Sequence, residues 1–220
     1  MDKIIFCLLC YVSFTMAVKW PRGTYTLVKP KSGCPKHFHE GWREQDTEDF
    51  NNKNRLTAGH HFFGHFDDST LKFHYCTKDP NHFHGEGNWP SGNYCILKHY
   101  TCPPGFRTGM VRWDDEDYVN GNGYGGTLPN GYFGADTRIY YCCRNDEYYW
   151  KAIVLPTDTP FYLMRFTSQC QKVRGMNVRE EHVHFDDEDY NNRNSVYGSY
   201  PFGAGGEDHD LYYCYYAPRY

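Results

Sequence analysis

The sequence has little of what a helical or membrane-spanning protein needs. Leu and Ala are sparse, while 21 Gly, 12 Pro, 21 Tyr and 15 Phe are spread along 220 residues. Such a chain is a poor helix former and favours strands and tight turns. Beyond residue 17 no apolar run approaches the roughly 20 residues of a spanning helix, so no membrane span is expected. No basic run exists either: 23 Lys and Arg stand against 27 Asp and Glu, a formal charge of −4. That balance leaves no electrostatic footprint for nucleic acid and no pull toward anionic membrane surfaces. An Asn-x-Ser/Thr glycosylation sequon is absent.

The N-terminus carries a processing signal. Asp2 and Lys3 precede the apolar run from Ile4 to Phe14, and Thr15-Met-Ala17 supplies small residues at the cleavage positions. Residues 1–17 form a signal-peptide pattern, and a secreted, extracellular chain starting near Val18 is expected. The remaining 18–220 suffice for one domain with its own core. Much of the 40% hydrophobic fraction is aromatic, and Tyr packs densely while keeping a polar handle. Cys7 and Cys10 fall in the leader. The eight cysteines beyond it include no CxxC pair, so a disulfide framework is expected rather than a zinc–thiolate site.

Internal repetition is the strongest signal. Trp20-Pro-Arg-Gly-Thr-Tyr25 returns as Trp89-Pro-Ser-Gly-Asn-Tyr94 and, degraded, as Leu155-Pro-Thr-Asp-Thr-Pro-Phe161. Cys34, Cys102 and Cys170 follow at intervals of 68. Acidic turns come next, over residues 46–54, 114–122 and 186–194; each segment then closes on an aromatic strand ending in Cys76, Cys142 or Cys214. The chain is three copies of one unit, about 19–88, 89–154 and 155–220. Units this small cannot bury an apolar face alone, so an all-β, pseudo-threefold, closed structure of trefoil or prism type is expected, with a β-sandwich as the alternative. One pairing rule serves all copies: Cys34–Cys76, Cys102–Cys142 and Cys170–Cys214, with Cys95–Cys143 formed from the remainder. An exchange of Cys142 with Cys143 stays open. Each bridge closes a loop of about 40 residues or more, roughly 3–4 kcal/mol apiece by chain entropy.

The motifs WPSGNYCIL, TCPPGF, WDDEDYVNGN, LPNGY, TRIYYCC, LPTDTPFYL and the terminal LYYCYY together resemble the apextrin C-terminal (ApeC) domain over nearly all of residues 18–220. Full apextrins place a perforin-like domain before this module, so the chain looks like an ApeC-only secreted protein. The resemblance implies an extracellular defence protein, of a kind found in marine invertebrates, that binds the muramyl-peptide part of bacterial peptidoglycan. It also implies that some relatives act in egg or larval matrix. Copy one departs from the acidic pattern at Thr47, and copy three lacks the Trp-Pro-x-Gly start, so the middle copy is the best candidate to carry ligand.

The acidic turn leaves two readings open. Its carboxylates and amides offer oxygens of the kind calcium takes, with Asp114, Glu116, Asp117, Asp186, Glu188 and Asp189 as candidate ligands. Alternatively, Asp and Asn cap turns and bond the backbone. Calcium is the only cofactor in view. A glycosidase needs two carboxylates in contrasting environments at a set separation, which a thrice-repeated hydrated turn does not suggest. Thiol chemistry needs a free thiolate, and the pairing leaves none. His37/His39, His82/His84 and His182/His184 each share a strand face, which allows a metal site or a pH-sensitive surface. For ligand binding, an aromatic face beside Asp and Asn suits a sugar. Trp113, Asp114, Asp115, Tyr118, Asn120, Asn122, Tyr124 and Tyr132 form that mixture, with core burial the competing fate of Trp113. The leading function is non-catalytic recognition of bacterial peptidoglycan. A matrix protein with a protein partner and a peptidoglycan hydrolase are the alternatives.

Overall fold

The computed structural model describes residues 18–48, 51–79, 84–116, 120–187 and 191–219. They form fourteen strands and no helix: β1 (Tyr25–Val28), β2 (Phe38–Asp46), β3 (Arg55–Leu56), β4 (Gly64–Phe66), β5 (Thr70–Lys78), β6 (Asn93–Lys98), β7 (Arg107–Trp113), β8 (Gly123–Gly126), β9 (Gly131–Phe133), β10 (Thr137–Asn145), β11 (Phe161–Met164), β12 (Met176–Phe185), β13 (Ser195–Gly198) and β14 (His209–Pro218). Among the described residues no helix is long and apolar enough to cross a membrane.

All fourteen belong to one antiparallel sheet. Its main path runs β3-β12-β14-β11-β6-β1-β5-β2-β8; β10 joins β6 to β7 and β9, β13 flanks β7, and β4 flanks β5. The path is open, which corrects the expectation of a closed β-structure, and it is one sheet where a sandwich would have two. The reason lies at its centre. β1 pairs with β6, and β11 touches β6 through the single register pair Met164–Cys95. β11 also lies close to β1, but the two share no ladder. Side chains, not backbone bonds, complete the centre.

Those central strands are buried on both faces, and their period of two separates two cores. Tyr25, Leu27, Tyr94, Ile96, Phe161 and Leu163 point into one cluster with Trp20, Trp89 and Tyr216. Val28, Cys95, Leu97, Tyr162 and Met164 point into the other, with Phe62, Phe73, Val111, Trp113, Ile139, Val183 and Phe185. Each fully buried large side chain contributes on the order of 1.5–3 kcal/mol. The Trp-Pro-x-Gly-x-Tyr motif belongs to the first cluster. The Tyr25 hydroxyl donates to the Pro21 carbonyl and the Tyr94 hydroxyl to that of Pro90, at 3.1 and 2.6 Å, while Trp20 packs against Trp89. In copy three Phe161 stands where those tyrosines do, and no such bond is required.

The four disulfides are Cys34–Cys76, Cys95–Cys143, Cys102–Cys142 and Cys170–Cys214, the pairs drawn from the repeat. The open choice between Cys142 and Cys143 is decided by the pleat. Cys143 lies directly opposite Cys95 in the β6–β10 register, and its neighbour Cys142 faces the other core, where Cys102 waits.

The second core holds an unexpected guest. Arg43 of β2 is buried, its guanidinium 5.4 Å from the Phe73 and Trp113 ring centroids and 5.9 Å from that of Phe185. Val111 and Val183, at the same place two residues before Trp113 and Phe185, are the apolar counterparts.

Candidate functional site

The acidic turns are built to hold one another. Asn122 Oδ1 accepts the Asp46 amide, Asn194 Oδ1 that of Asp114, and Asn54 Oδ1 that of Asp186, at 2.7, 2.7 and 2.9 Å. In return Asp46 Oδ2 accepts the Gly121 amide, Asp114 Oδ2 that of Arg193, and Asp186 Oδ2 that of Lys53, at 2.7, 2.7 and 2.5 Å. The same two bonds therefore run from the first turn to the second, the second to the third, and the third to the first. Within each turn an asparagine amide donates to the next side chain: Asn54 to Thr47, Asn122 to Asp115, Asn194 to Asp187. Thr47, the departure noted in copy one, fills this role with its hydroxyl.

This geometry corrects several sequence expectations. Trp113 is 0% exposed, packed against Phe185 and His209 beneath Arg43, so no ligand can stack on it. Asp115 is equally buried: Gln45 Nε2 donates to its Oδ1 at 2.7 Å, and Asn122 Nδ2 and Thr137 Oγ1 to its Oδ2 at 2.7 and 2.6 Å. Burial pushes that carboxyl up to about 7. Asn120 donates to the Glu116 and Ala135 carbonyls and accepts the Asn122 amide. Asn122 and Asn120 are thus spent on the turn, and Asp114 and Glu116 are buried with it. The structural reading of the turn accounts for Asp114 Oδ2, Asn120 and Asn122, and Asp114 and Glu116 stand outside the group of metal-ligating atoms that converges among the described residues. Tyr118, Asp117, Glu188 and Asp189 lie outside the described residues. Tyr124 on β8 and Tyr132 on β9 do face outward, at 60% and 54% exposure.

A better surface lies between the repeat landmarks. Residues 145–154 form a ridge after β10 on which Tyr148 and Trp150 stack, ring centroids 4.4 Å apart and 12° from parallel, at 63% and 54% exposure. Tyr149 braces the Trp150 ring edge-on at 5.1 Å. From below, the buried Gln171 donates to the Tyr149 and Lys151 carbonyls, Lys172 N bonds the Tyr149 carbonyl, and Ile153 and Val173 form a bridge. The Arg144 guanidinium holds Asp146 through its side-chain bonds, which keeps that carboxyl well below the ordinary range. On one side of the ridge a cleft of about 420 Å³ is lined by Asn93, Asn145, Asp146, Glu147, Tyr148 and Tyr149. A hollow of about 690 Å³ that reaches the segment at Ala152 includes Lys172, Arg174 and Arg219 beside Val178. The cleft offers amides and carboxylates, the hollow cations, and Tyr148 and Trp150 exposed aromatic faces.

The family model for the C-terminal domain of apextrin, ApeC, matches residues 20–216. The chain belongs to the ApeC family. The match starts at Trp20 and ends at Tyr216, so it takes in both aromatic cores, all four disulfides and the three interlocked turns of this ApeC domain. Among curated proteins and among solved structures none matches the chain. In this ApeC domain the Tyr148–Trp150 ridge was missed because it falls between the repeated motifs. A signal was present: three consecutive aromatics, Tyr148-Tyr-Trp150, inside a charged run have no apolar periodicity that would bury them.

Metal-ligating groups converge once among the described residues. Ligand atoms of His184, Asp186 and Asp208 lie within 4.8 Å of one another.

Proposed function

We propose that this ApeC domain is a secreted, non-catalytic recognition module for bacterial peptidoglycan, with the 145–154 ridge as its contact surface. The observation that carries the reading is the stacked, exposed Tyr148–Trp150 pair on a rigid support. Sugar rings present apolar C–H faces, and a flat aromatic surface with two torsions per side chain accepts them at small entropic cost. Hydroxyl and acetamido groups would meet Asn93, Asn145 and Glu147 in the cleft, while carboxylates of a stem peptide would meet Lys172, Arg174 and Arg219. Family membership supports a defence-related module. The four disulfides suit an oxidising, extracellular setting, as does the leader expected over residues 1–17. The recurring turn-to-turn bonds support three copies of one unit as the domain's plan.

The test is retention of the oxidised protein on insoluble peptidoglycan, with muramyl dipeptide as competitor and soluble muropeptides followed over time. Retention that the dipeptide abolishes, without muropeptide release, is the expected result. Time-dependent release would make the protein a hydrolase. No retention on walls of either Gram type would overturn the reading and favour a matrix protein with a protein partner.

A further inference from the structure

The geometry points to a transition-metal site in the third segment, with His184, Asp186 and Asp208 as ligands to a divalent ion of the zinc class. This site does not depend on the peptidoglycan reading. His184 Nε2 faces Asp208 Oδ2 at 3.7 Å, too far for a hydrogen bond and near the separation of two ligands around one tetrahedral ion, roughly 3.3–3.5 Å for bonds of 2.0–2.2 Å. The other ring nitrogen, Nδ1, lies 3.0 Å from Asp210 Oδ1, and the same oxygen takes His182 Nε2 at 2.6 Å. A carboxylate on the far nitrogen of a ligating histidine fixes its tautomer and leaves the near lone pair pointed at the ion. Asp186 and Asp208 are themselves oriented, each by a backbone amide: Lys53 N to Asp186 Oδ2 at 2.5 Å and Asp187 N to Asp208 Oδ1 at 3.2 Å.

The second segment shows independently that a cation belongs here. Arg112 stands two residues before Asp114, as His184 stands two before Asp186; Asp136 precedes Cys142 by six residues, as Asp208 precedes Cys214. Arg112 Nη2 lies 2.7 Å from Asp136 Oδ2 and 3.6 Å from Asp114 Oδ1. One segment thus sets a fixed guanidinium between the two carboxylates. The other keeps the carboxylates and replaces the cation with an imidazole, which brings a ligand and no obligatory charge. An imidazole nitrogen with two carboxylates suits zinc, cobalt or nickel better than calcium, which takes six to eight oxygens.

The experiment is titration of the oxidised full chain with Zn²⁺ by calorimetry, and with Co²⁺ by its visible spectrum, in a non-chelating buffer. One ion per chain is expected, with a Co²⁺ band and a melting temperature raised by saturating Zn²⁺. His184→Arg, which installs the cation of the second segment, and Asp208→Asn should each weaken Zn²⁺ binding at least 30-fold. Both should melt like the wild type in EDTA, which shows them folded. Millimolar Ca²⁺ should not displace Co²⁺. The proposal is overturned if the wild type takes up less than half an equivalent, if the folded variants bind as the wild type does, or if Ca²⁺ displaces Co²⁺.

Discussion

Arg43 Nε donates to the Tyr75 hydroxyl at 2.7 Å inside the larger aromatic core, and the same guanidinium bonds Gln45, which in turn donates to Asp115. A strand residue thereby links the core to the acidic turn of the next segment through three buried polar groups. Removing the cation leaves its partners unmet, and the cost of a broken buried charge network is about 3–5 kcal/mol. Arg43→Leu is expected to lower unfolding free energy by that amount in guanidinium titrations. Arg43→Leu with Asp115→Asn should cost less than the two single changes added, because the groups share one network. Strict additivity would show that they act apart.

Stability should fall as pH rises through neutrality. Asp115 titrates near 7 in the folded protein and near 3.8 when unfolded, because burial outweighs its donors and Arg43. Between those values the folded state keeps a proton that the unfolded state has released. The contribution is therefore complete below about pH 4, shrinks as pH rises, and levels off above pH 7. The difference amounts to about 4 kcal/mol at 1.36 kcal/mol per unit. Asp187 is pushed up in the same direction by burial and by Asp115 itself. Denaturation of wild type and Asp115→Asn at pH 4.5, 6 and 8 should show a shallower decline in the variant; parallel declines would assign the slope to other groups.

Trp150→Ala should weaken retention on peptidoglycan at least about tenfold, since exposed aromatic anchors dominate recognition surfaces. Because the ring is 54% exposed, the melting temperature should stay within 2 °C or so of wild type. Tyr124→Ala, an equally exposed tyrosine away from the ridge, should leave retention unchanged. A loss at Tyr124 with none at Trp150 would move the contact surface to β8.

Gly109 is held to a bare backbone by its neighbour. A Cβ there would lie 1.9 Å from the Ser199 carbonyl oxygen, beside the β7–β13 ladder. Gly109→Ala should separate β13 from β7 and cost about 1–3 kcal/mol, with the loss of amide protection confined first to Tyr197 and Gly198. Uniform loss across the sheet would instead indicate global destabilisation.

Much of the framework was legible in the sequence, for identifiable reasons. Cysteines at one interval, followed by aromatic strands, indicate which thiols meet, while the choice between Cys142 and Cys143 needed the β6–β10 register. The Trp-Pro-x-Gly-x-Tyr motif marks the start of a unit, but its Tyr-to-Pro bond is seen only in the structure. Sheet closure was not legible, because it turns on whether β11 and β1 share a ladder or merely side chains, and both outcomes bury the same residues. Core burial of Trp113 was already open from the sequence, but Asp115 sits in an acidic, turn-like stretch that composition places outside, and only its bonds from Gln45, Asn122 and Thr137 show it inside. Arg43 within Trp-Arg-Glu-Gln-Asp carries every mark of a solvated strand face. Its burial depends on Tyr75, 32 residues away, and no local pattern encodes that partner.

The mutual capping of the three turns also bears on how the molecule comes into being. The first turn meets the second through Asn122, but its own Asn54 waits for Asp186, more than a hundred residues later. A nascent chain emerging from its N-terminus can form two of these clasps only after the third segment has appeared. Cys170 must likewise await Cys214. Two of the three clasps therefore close only once residues 186–194 are in place, and a chain truncated before that turn has no partly folded form in which every turn is capped.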